Sequence, residues 1–373
     1  IFSSCTDDFE KLNTSNIQVD PADLPFAAQC TEPMTYCYPP QQNMFQFWTN
    51  LTIDLYGGYF MTPNGNFTNG DMGENRGHSG GMYENYYLHI FNNTRRIIAQ
   101  CDASGERGLS GVMRIVQAYG TLMTTDAYGP IPYSSILSGE NEVYFEFDSQ
   151  KDLYKAMLED LSTAITDISA MGADEIAKLK SFDCWCNGDK DLWVKIANTM
   201  KLRMALRLSK RETEAGNAGM NLKAIATEAA QNTLATVNKD ILIDKSLENE
   251  MWLMFNWGDC GFNANLVTIM SGTKDPRQPL YMTLNTGDIK NEAGTTTVAA
   301  NSQYLGIRFA SGLPAKPNSW GNFSGWIQGN NGSSYSMPLP IMKAAEAYFL
   351  LAEAKLRWDI GSESVKNLYE NGI

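Results

Sequence analysis

The chain has 373 residues, a net charge of −13 and 43% apolar residues, enough for one large domain or two to three smaller ones. The acidic balance argues against binding to nucleic acid or to an anionic membrane, because both require clustered lysine and arginine side chains. No apolar run is long enough to span a bilayer, and the two histidines, His78 and His89, leave little material for a zinc site or a catalytic triad.

The first ten residues, IFSSCTDDFE, place small residues before Cys5 and two aspartates after it. This order is typical of the lipidation site of a bacterial lipoprotein, and an ordinary disordered terminus is the alternative. Residues 11–25 are polar and suit a flexible tether. The seven cysteines are too scattered for a disulfide framework and lack zinc spacing, so we expect buried or free thiols outside Cys5.

Residues 41–56 predict a helix with an apolar face that carries Met44, Phe47, Trp48, Leu51 and Leu55. Residues 57–81 follow as a Gly- and Asn-rich stretch without an apolar period. They predict a long surface loop bearing aromatic side chains, and loops of this length are usually functional or disordered.

This loop contains the one enzyme-like motif, Gly77-His78-Ser79-Gly80-Gly81, which fits the GxSxG pattern of a nucleophile elbow. Such an elbow needs an apolar strand before the serine and a histidine later in the chain. The preceding residues NFTNGDMGENR cannot form a buried strand, and no histidine follows His89. We therefore expect a flexible glycine turn in which Ser79 is not a nucleophile.

Four strongly periodic stretches predict long helices at residues 83–101, 105–126, 150–170 and 188–209. Gly111 and Gly120 each cost about 1 kcal/mol inside the second of these, which predicts close approach of a neighbouring element. Asp148 or Ser149 caps the third helix, and Asp189 or Asp191 the fourth. The acidic residues around Asp183 also suggest a calcium loop, but no closing glutamate is present, so capping is the favoured interpretation.

Three of these stretches resemble one family. LSGVMRIVQAYGTLMTTDAYGPIPYS (109–134), YFEFDSQKDLYKAMLEDLSTAI (144–165) and GDKDLWVKIANTMKLRMALRLS (188–209) are similar to the SusD/RagB family of nutrient-binding lipoproteins, particularly its SusD-like branch. The resemblance implies an all-α, tetratricopeptide (TPR)-like scaffold with long irregular loops. It also implies a surface-exposed position on the outer membrane of Bacteroidetes, a lipid at Cys5, a glycan ligand (a peptide in some relatives) and a SusC-like TonB-dependent transporter as partner.

The second half continues this pattern. Residues 221–235 predict a helix, 275–279 a rigid turn, 280–309 one or two β-hairpins and 310–337 a second long loop. Residues 340–358 predict a helix with Pro340 in its first turn, which pairs with 362–372 as a TPR-like unit. The expected organisation is an anchor and tether at 1–25 and a single helical domain at 26–373, incomplete at its C-terminus.

No catalytic constellation emerges, and no metal or cofactor is expected. Aromatic faces among amides and carboxylates suit a carbohydrate, so we predict capture of an oligosaccharide for delivery to the transporter. Trp48 and Trp193 lie on apolar helical faces and are expected in the core. The predicted ligand-binding residues are Tyr59, Tyr83, Trp257, Trp320 and Trp326, with Asn64, Asp71, Asn256 and Asp259 as hydroxyl partners. The alternatives are a glycan-degrading enzyme with two opposed carboxylates, and a peptide-binding or purely interacting subunit of a transporter complex.

Overall fold

The computed structural model describes residues 24–38, 44–62, 67, 73, 75–139, 144–243, 257, 259–290, 296–309 and 338–373. Helices dominate these residues, as predicted. The α-helices are α1 Phe26–Tyr36, α2 Asp54–Tyr56, α3 Arg76–Ser79, α4 Gly81–Asn85, α5 Asn92–Ser104, α6 Arg107–Tyr128, α7 Ser134–Ser138, α8 Gln150–Ser169, α9 Ala173–Lys180, α10 Lys190–Arg207, α11 Glu212–Asn217, α12 Leu222–Ala229, α13 Ala264–Thr273, α14 Gln278–Tyr281, α15 Ala344–Trp358 and α16 Val365–Gly372. Two π-helical segments, π1 Phe45–Ile53 and π2 Tyr86–Phe91, continue into α2 and α5, and short 3₁₀ turns span Leu208–Arg211, Ala230–Asn232 and Leu234–Thr236. Within the described ranges, no helix is both long and apolar enough for a membrane crossing.

The strands are short and pair two by two in antiparallel fashion. The pairs are β1 Phe60–Met61 with β5 Gly261–Phe262, β2 Ile131–Pro132 with β3 Phe147–Asp148, β4 Ile241–Ile243 with β8 Leu339–Met342, and β6 Ile289–Lys290 with β7 Thr296–Val298. The pair β6–β7 is the hairpin predicted within 280–309. The other three pairs lie outside that region and fasten loops onto the helical scaffold.

The core is built around α6, which is buried along nearly its whole length. Helix α8 packs on one side of it and α5 on another, and α10 packs against α8. A Cβ atom at Gly111 would lie 3.2 Å from the Cα atom of Ala164 in α8, and one at Gly120 would lie 2.8 Å from Cγ2 of Ile90 in π2. Both glycines therefore permit the close contacts that their helix-interior positions predict.

The capping and core predictions for α8 and α10 are confirmed. The side chain of Ser149 accepts a hydrogen bond from the backbone N–H of Asp152 at 3.2 Å. Asp189 Oδ1 accepts from the N–H groups of Asp191 and Leu192 at 3.0 and 3.2 Å. Trp193 and Trp48 are both buried.

Pro340 does not begin a helix, which corrects the predicted start of the C-terminal helix pair. It lies in β8 opposite Leu242 and is exposed, where a missing N–H is tolerated at a strand edge. Helix α15 starts four residues later, and Asp240 Oδ1 accepts a hydrogen bond from the N–H of Ala344 at 2.9 Å. Helices α15 and α16 pack together as the expected pair.

The helix predicted at 41–56 is π-helical over Phe45–Ile53, and the loop predicted at 57–81 contains β1 and α3. The wider π winding changes which side chains face inward. Gln46 and Asn50 are buried together with Trp48 and Leu51, whereas Phe47 is only half-buried. A helix that is buried on opposite sides lies between two packed layers rather than on the surface.

Candidate functional site

The strand pair β1–β5 brings Tyr59 beside the segment that follows Trp257. Phe60 lies opposite Phe262, and the N–H of Asn263 donates to the carbonyl of Tyr59 at 3.0 Å. The N–H of Tyr59 donates to the carbonyl of Asp54 at 2.9 Å. The backbone of Tyr59 is thus held from both sides, while its side chain is 56% exposed.

Trp257 is partly buried and packs against the second hydrophobic cluster of the protein. The buried members of this cluster are Phe45, Cys260, Phe262, Val267, Met270 and Met282. Packing of this kind holds an indole in one orientation. The exposed Tyr59 immediately precedes β1, and the partly buried Trp257 packs against a cluster that contains Phe262 of β5.

Asp259 is only 6% exposed, and its Oδ2 accepts a hydrogen bond from Gln46 Nε2 at 3.0 Å. On the same π-helical segment, Asn50 Nδ2 lies 2.8 Å from the sulfur of Cys260. These two contacts tie the residues before β5 to π1. The structure therefore places Asp259 below the surface that Tyr59 occupies, although the sequence suggested it as a direct hydroxyl partner.

Tyr83 is connected to this region through the opposite side of π1. Its ring contacts Tyr128 edge-on at 5.5 Å, and Tyr128 stacks on Trp48 at 5.6 Å. Trp48 lies two positions from both Gln46 and Asn50, so it points to roughly the opposite side of the helix. Tyr59 lies beside β5, Trp257 and Asp259 lie on the chain just before β5, and Tyr83 is linked to π1 through Tyr128 and Trp48. Asn64, Asp71, Asn256, Trp320 and Trp326 lie outside the described residues.

His78 makes aromatic contacts that the sequence did not predict. Its ring stacks on Phe47 of π1 at 4.3 Å between centroids, with an interplanar angle of 5°, and meets Phe67 edge-on at 5.5 Å. Burial lowers the pKa of His78 below its usual value. A second contact in the same region does not involve His78: the hydroxyl of Tyr56 donates to the carbonyl of Gly73 at 3.2 Å. In the sequence, His78 lies between segments that are rich in aromatic residues. This position alone does not indicate which aromatic ring the histidine contacts.

Asp54 lies at the point where π1 becomes α2, and its carbonyl accepts the hydrogen bond from the N–H of Tyr59. Burial raises the pKa of its carboxyl group from 3.8 to about 7. Burial also raises the pKa of the nearby Cys260 thiol, with a further contribution from the negative charges of Asp54 and Asp259. The carboxyl group of Asp54 therefore keeps its proton to a higher pH than an ordinary aspartate does, and the backbone carbonyl of Asp54 is the group that holds the N–H of Tyr59.

Ser79 lies at the end of the short helix α3, which Asn75 caps by accepting a hydrogen bond from the N–H of His78 at 3.2 Å. The carbonyl of Ser79 accepts a hydrogen bond from the hydroxyl of Tyr128. This is a helical turn rather than the flexible loop expected, and it differs from the strand–turn–helix of a nucleophile elbow. Among the residues described, no group of three or more His, Cys, Asp or Glu side chains is arranged to hold a metal ion.

Comparisons with known proteins agree with the helical architecture. A SusD-like protein from Bacteroides thetaiotaomicron VPI-5482 is 26% identical, with a TM-score of 0.73 over 93% of this chain and 69% of that one. A SusD homolog from Bacteroides vulgatus ATCC 8482 is 25% identical, with a TM-score of 0.72 over 92% and 68% of the two chains. A chitin-binding SusD homolog from Flavobacterium johnsoniae shares the fold at 24% identity, with a TM-score of 0.74 over 93% and 69%. A search of curated proteins gives no match.

The family comparison covers almost the entire sequence. Residues 10–373 match the SusD-like family that is described as "Susd and RagB outer membrane lipoprotein". The match includes the three helix motifs on which the resemblance was based, and the solved relatives reproduce the mostly helical scaffold. The chain therefore belongs to the SusD/RagB family of outer membrane lipoproteins.

Proposed function

We propose that this protein captures an oligosaccharide at the cell surface and delivers it to a SusC-like TonB-dependent transporter. The observation that carries the proposal is Tyr59, an exposed ring on a backbone fixed by hydrogen bonds on both sides. Family membership supports it, and so does the structural neighbour from Flavobacterium johnsoniae, which is a chitin-binding SusD homolog.

A sugar ring suits an exposed aromatic side chain because one of its faces presents C–H groups while its hydroxyls project from the rim. Burial of about 70 Å² against one aromatic face contributes ~1.5–2 kcal/mol at ~25 cal/mol/Å². Two or three such platforms, less the cost of association, give micromolar to millimolar dissociation constants. An affinity in this range permits both capture and release, as delivery requires.

The proposed binding set contains Tyr59, Tyr83, Trp257, Trp320 and Trp326, with hydroxyl contacts from Asn64, Asp71 and Asn256. Asp259 is assigned an indirect part, since its carboxylate is buried and accepts a hydrogen bond from Gln46. It would keep the segment around Trp257 in place on π1. We expect the site to bind without cofactor or metal.

Binding without catalysis is part of the proposal. Ser79 lies on a helical turn and has no histidine downstream of His89 in the sequence. We expect a fluorophosphonate probe not to label Ser79. Labelling that disappears in Ser79→Ala would show that the motif is a working nucleophile.

The proposal is tested by calorimetry with chitooligosaccharides and with the hits of a glycan array. Tyr59→Ala is expected to weaken binding ten- to thirtyfold, because it removes one stacking platform worth ~1.5–2 kcal/mol. Its melting temperature is expected to stay unchanged, because an exposed ring contributes little to packing.

Tyr369 on α16 provides a matched control, since it is the same residue type and is 55% exposed. Tyr369→Ala should leave glycan affinity unaltered. Equal effects of the two variants, or an array without any glycan hit, would refute glycan binding at Tyr59.

A further inference from the structure

A cavity of about 390 Å³ is lined by residues of α8, α10 and α11 and of the turns beside them. It shares no residue with the binding set proposed above. The apolar part of its lining consists of buried side chains, namely Tyr154, Ala215 and Met220. Three cationic side chains also line it, namely Lys151, Arg207 and Arg211. A concave site of this size, with an apolar lining and a few polar groups, is typical of small-molecule binding.

The charge of this cavity is opposite in sign to that of the whole chain, which is −13. Among the described lining residues, Glu214 is the one carboxylate. Asp126 is a second carboxylate nearby, since it accepts hydrogen bonds from Arg207 and from the hydroxyl of Tyr154. These two carboxylates and the three cations leave one positive charge uncompensated. An excess of one sign of charge in a concave surface attracts ligands of the opposite sign.

Hydrogen-bond donors remain available on these cations. Arg207 donates through Nη1 to Asp126, and Arg211 donates through Nη1 to Glu214 at 3.0 Å. Each guanidinium has five N–H groups, so most of them are left for a ligand. Partial burial lowers the pKa of Arg207 below its usual value, and an added anion would stabilise its charged form.

The position of Lys151 is unfavourable for the stability of α8. Lys151 lies in the first turn of this helix, where the partial positive charge of the terminus disfavours a cation. Within the described ranges, it has no carboxylate partner. Arg207, by contrast, lies in the last turn of α10, where a cation is favourable. Residues that break a local stability rule tend to lie at functional sites, so an anionic ligand explains Lys151 better than helix stability does.

The lining also indicates which kind of anion fits. An inorganic anion such as phosphate has no apolar surface to place against Tyr154 and Met220, whereas a ring with C–H groups has one. A planar carboxylate matches the paired N–H groups of a guanidinium. Hydroxyl groups on the same molecule find an acceptor in the carboxylate of Glu214. Gln150, whose Nε2 donates to the carbonyl of Thr125 at 2.9 Å, adds an amide oxygen as a second acceptor.

We propose that this cavity binds an acidic sugar, a hexuronic acid whose carboxylate is held by Lys151 and the two arginines. The requirement for a carboxylate comes from the cations, whereas the assignment of the ring to a sugar rests on the proposed function. The C–H face of the sugar packs against Tyr154, and its hydroxyls donate to Glu214 and Gln150. The protein would thereby hold acidic units of a glycan at a site separate from Tyr59.

The test compares D-glucuronate, D-glucose and benzoate as ligands of the full chain, with dissociation constants from NMR titration. We expect D-glucuronate to bind with a millimolar Kd and the other two compounds at least about tenfold more weakly. D-glucose lacks the carboxylate, and benzoate lacks the hydroxyls. Added NaCl should weaken the binding of D-glucuronate, because it screens the exposed cations.

The double variant Lys151→Gln/Arg211→Gln should weaken D-glucuronate binding at least about tenfold, because it removes two charged donors. Both side chains are exposed, so the melting temperature is expected to stay unchanged. The matched control is Arg357→Gln on α15, which removes an exposed arginine that donates to Glu353 at 2.8 Å and lies outside the cavity. This control should leave the affinity unaltered.

Equal binding of D-glucose or of benzoate, no binding of D-glucuronate, or equal effects of the double variant and Arg357→Gln would overturn the proposal. Tyr59→Ala should leave the affinity for D-glucuronate unchanged, and the double variant should leave the affinity for neutral chitooligosaccharides unchanged. A failure of the proposed capture role would appear in the Tyr59→Ala calorimetry with chitooligosaccharides. A failure of the acidic-sugar site would appear only with D-glucuronate, so the two proposals fail in different measurements.

Discussion

At the scale of single residues, buried carboxylates organise the backbone of this protein. Asp183 Oδ1 accepts from the N–H groups of Trp185 and Cys186 at 3.0 and 2.8 Å. Its Oδ2 accepts from the N–H of Gly188 and from Trp193 Nε1, both at 2.8 Å. All these donors are protein N–H groups, so the carboxylate of Asp183 fixes the turn before α10.

Asp54 predicts a pH dependence of stability. Its pKa is raised from 3.8 to about 7 by burial, so the folded state holds the proton more tightly than the unfolded state does. Below pH 3.8 both states are protonated, and the group has no effect on the free energy of unfolding. Between pH 3.8 and about 7 the unfolded state loses its proton first, so stability falls as the pH rises through this window.

Asp54→Asn removes this loss because the amide stays neutral. We expect the variant to match the wild type near pH 4 and to be more stable by up to about 4 kcal/mol at pH 8, as measured by urea denaturation. A constant difference between Asp54→Asn and the wild type at all pH values would contradict this account.

At the scale of elements, the contact between α6 and α8 depends on the missing side chain of Gly111. A methyl group there would lie 3.1 Å from Ile168 Cγ1 and 3.2 Å from the carbonyl oxygen of Ala164. The backbone of α8 cannot give way as a flexible side chain can. The helices must therefore separate to accept a larger residue.

Gly111→Ala is expected to lower the free energy of unfolding by about 1–3 kcal/mol, although alanine is the better helix former. Gly216 in α11 is the matched control, because a Cβ atom there meets nothing within 4 Å. Gly216→Ala should stabilise the protein by up to about 1 kcal/mol. Thermal or urea denaturation measures both, and stabilisation by both substitutions would show that the α6–α8 contact is not tight.

Sequence reasoning succeeded where a local pattern determines the structure. The cap at Asp189, the buried face of Trp193 and the glycine contact at Gly111 all follow from residues within a few turns of each other. It failed at Pro340, whose preference for a first helical turn was overridden by pairing with β4. It also assumed the α-helical period for π1, where a wider winding buries Gln46 and Asn50.

The candidate site was predictable only in part, for the same reason. The exposure of Tyr59 followed from its Gly- and Asn-rich surroundings. The burial of Asp259 depends on a hydrogen bond to Gln46, a residue 213 positions away in the chain. The stacking of His78 on Phe47 likewise joins two segments that no local pattern connects. Pairings between distant segments have no signature in the residues around either partner.

At the scale of the whole molecule, the proposed capture role requires a fixed position at the cell surface, and we assign the attachment to a lipid on Cys5. Membership in a family of outer membrane lipoproteins supports this assignment. In cells that express the full-length lipoprotein, Cys5→Ala should move the protein from the membrane fraction to the soluble fraction. Cys30→Ala, which changes a buried thiol in α1, should leave the partitioning unchanged. Membrane association of the Cys5 variant at the wild-type level would refute lipid attachment at this residue.

Helix α1 gives such an attachment a mechanical consequence. Trp185 Nε1 donates to the carbonyl of Met34, Asn85 Nδ2 donates to the carbonyl of Tyr36, both at 3.0 Å, and the ring of His89 stacks on that of Tyr36. Any pull on a tether at Cys5 would therefore reach two separate parts of the domain through α1: the turn that carries Trp185, and the continuous helix α4–π2 that carries Asn85 and His89. Detaching this helix from the domain would require the rupture of these contacts, so tension at the attachment point would be borne by the domain and not by the helix alone.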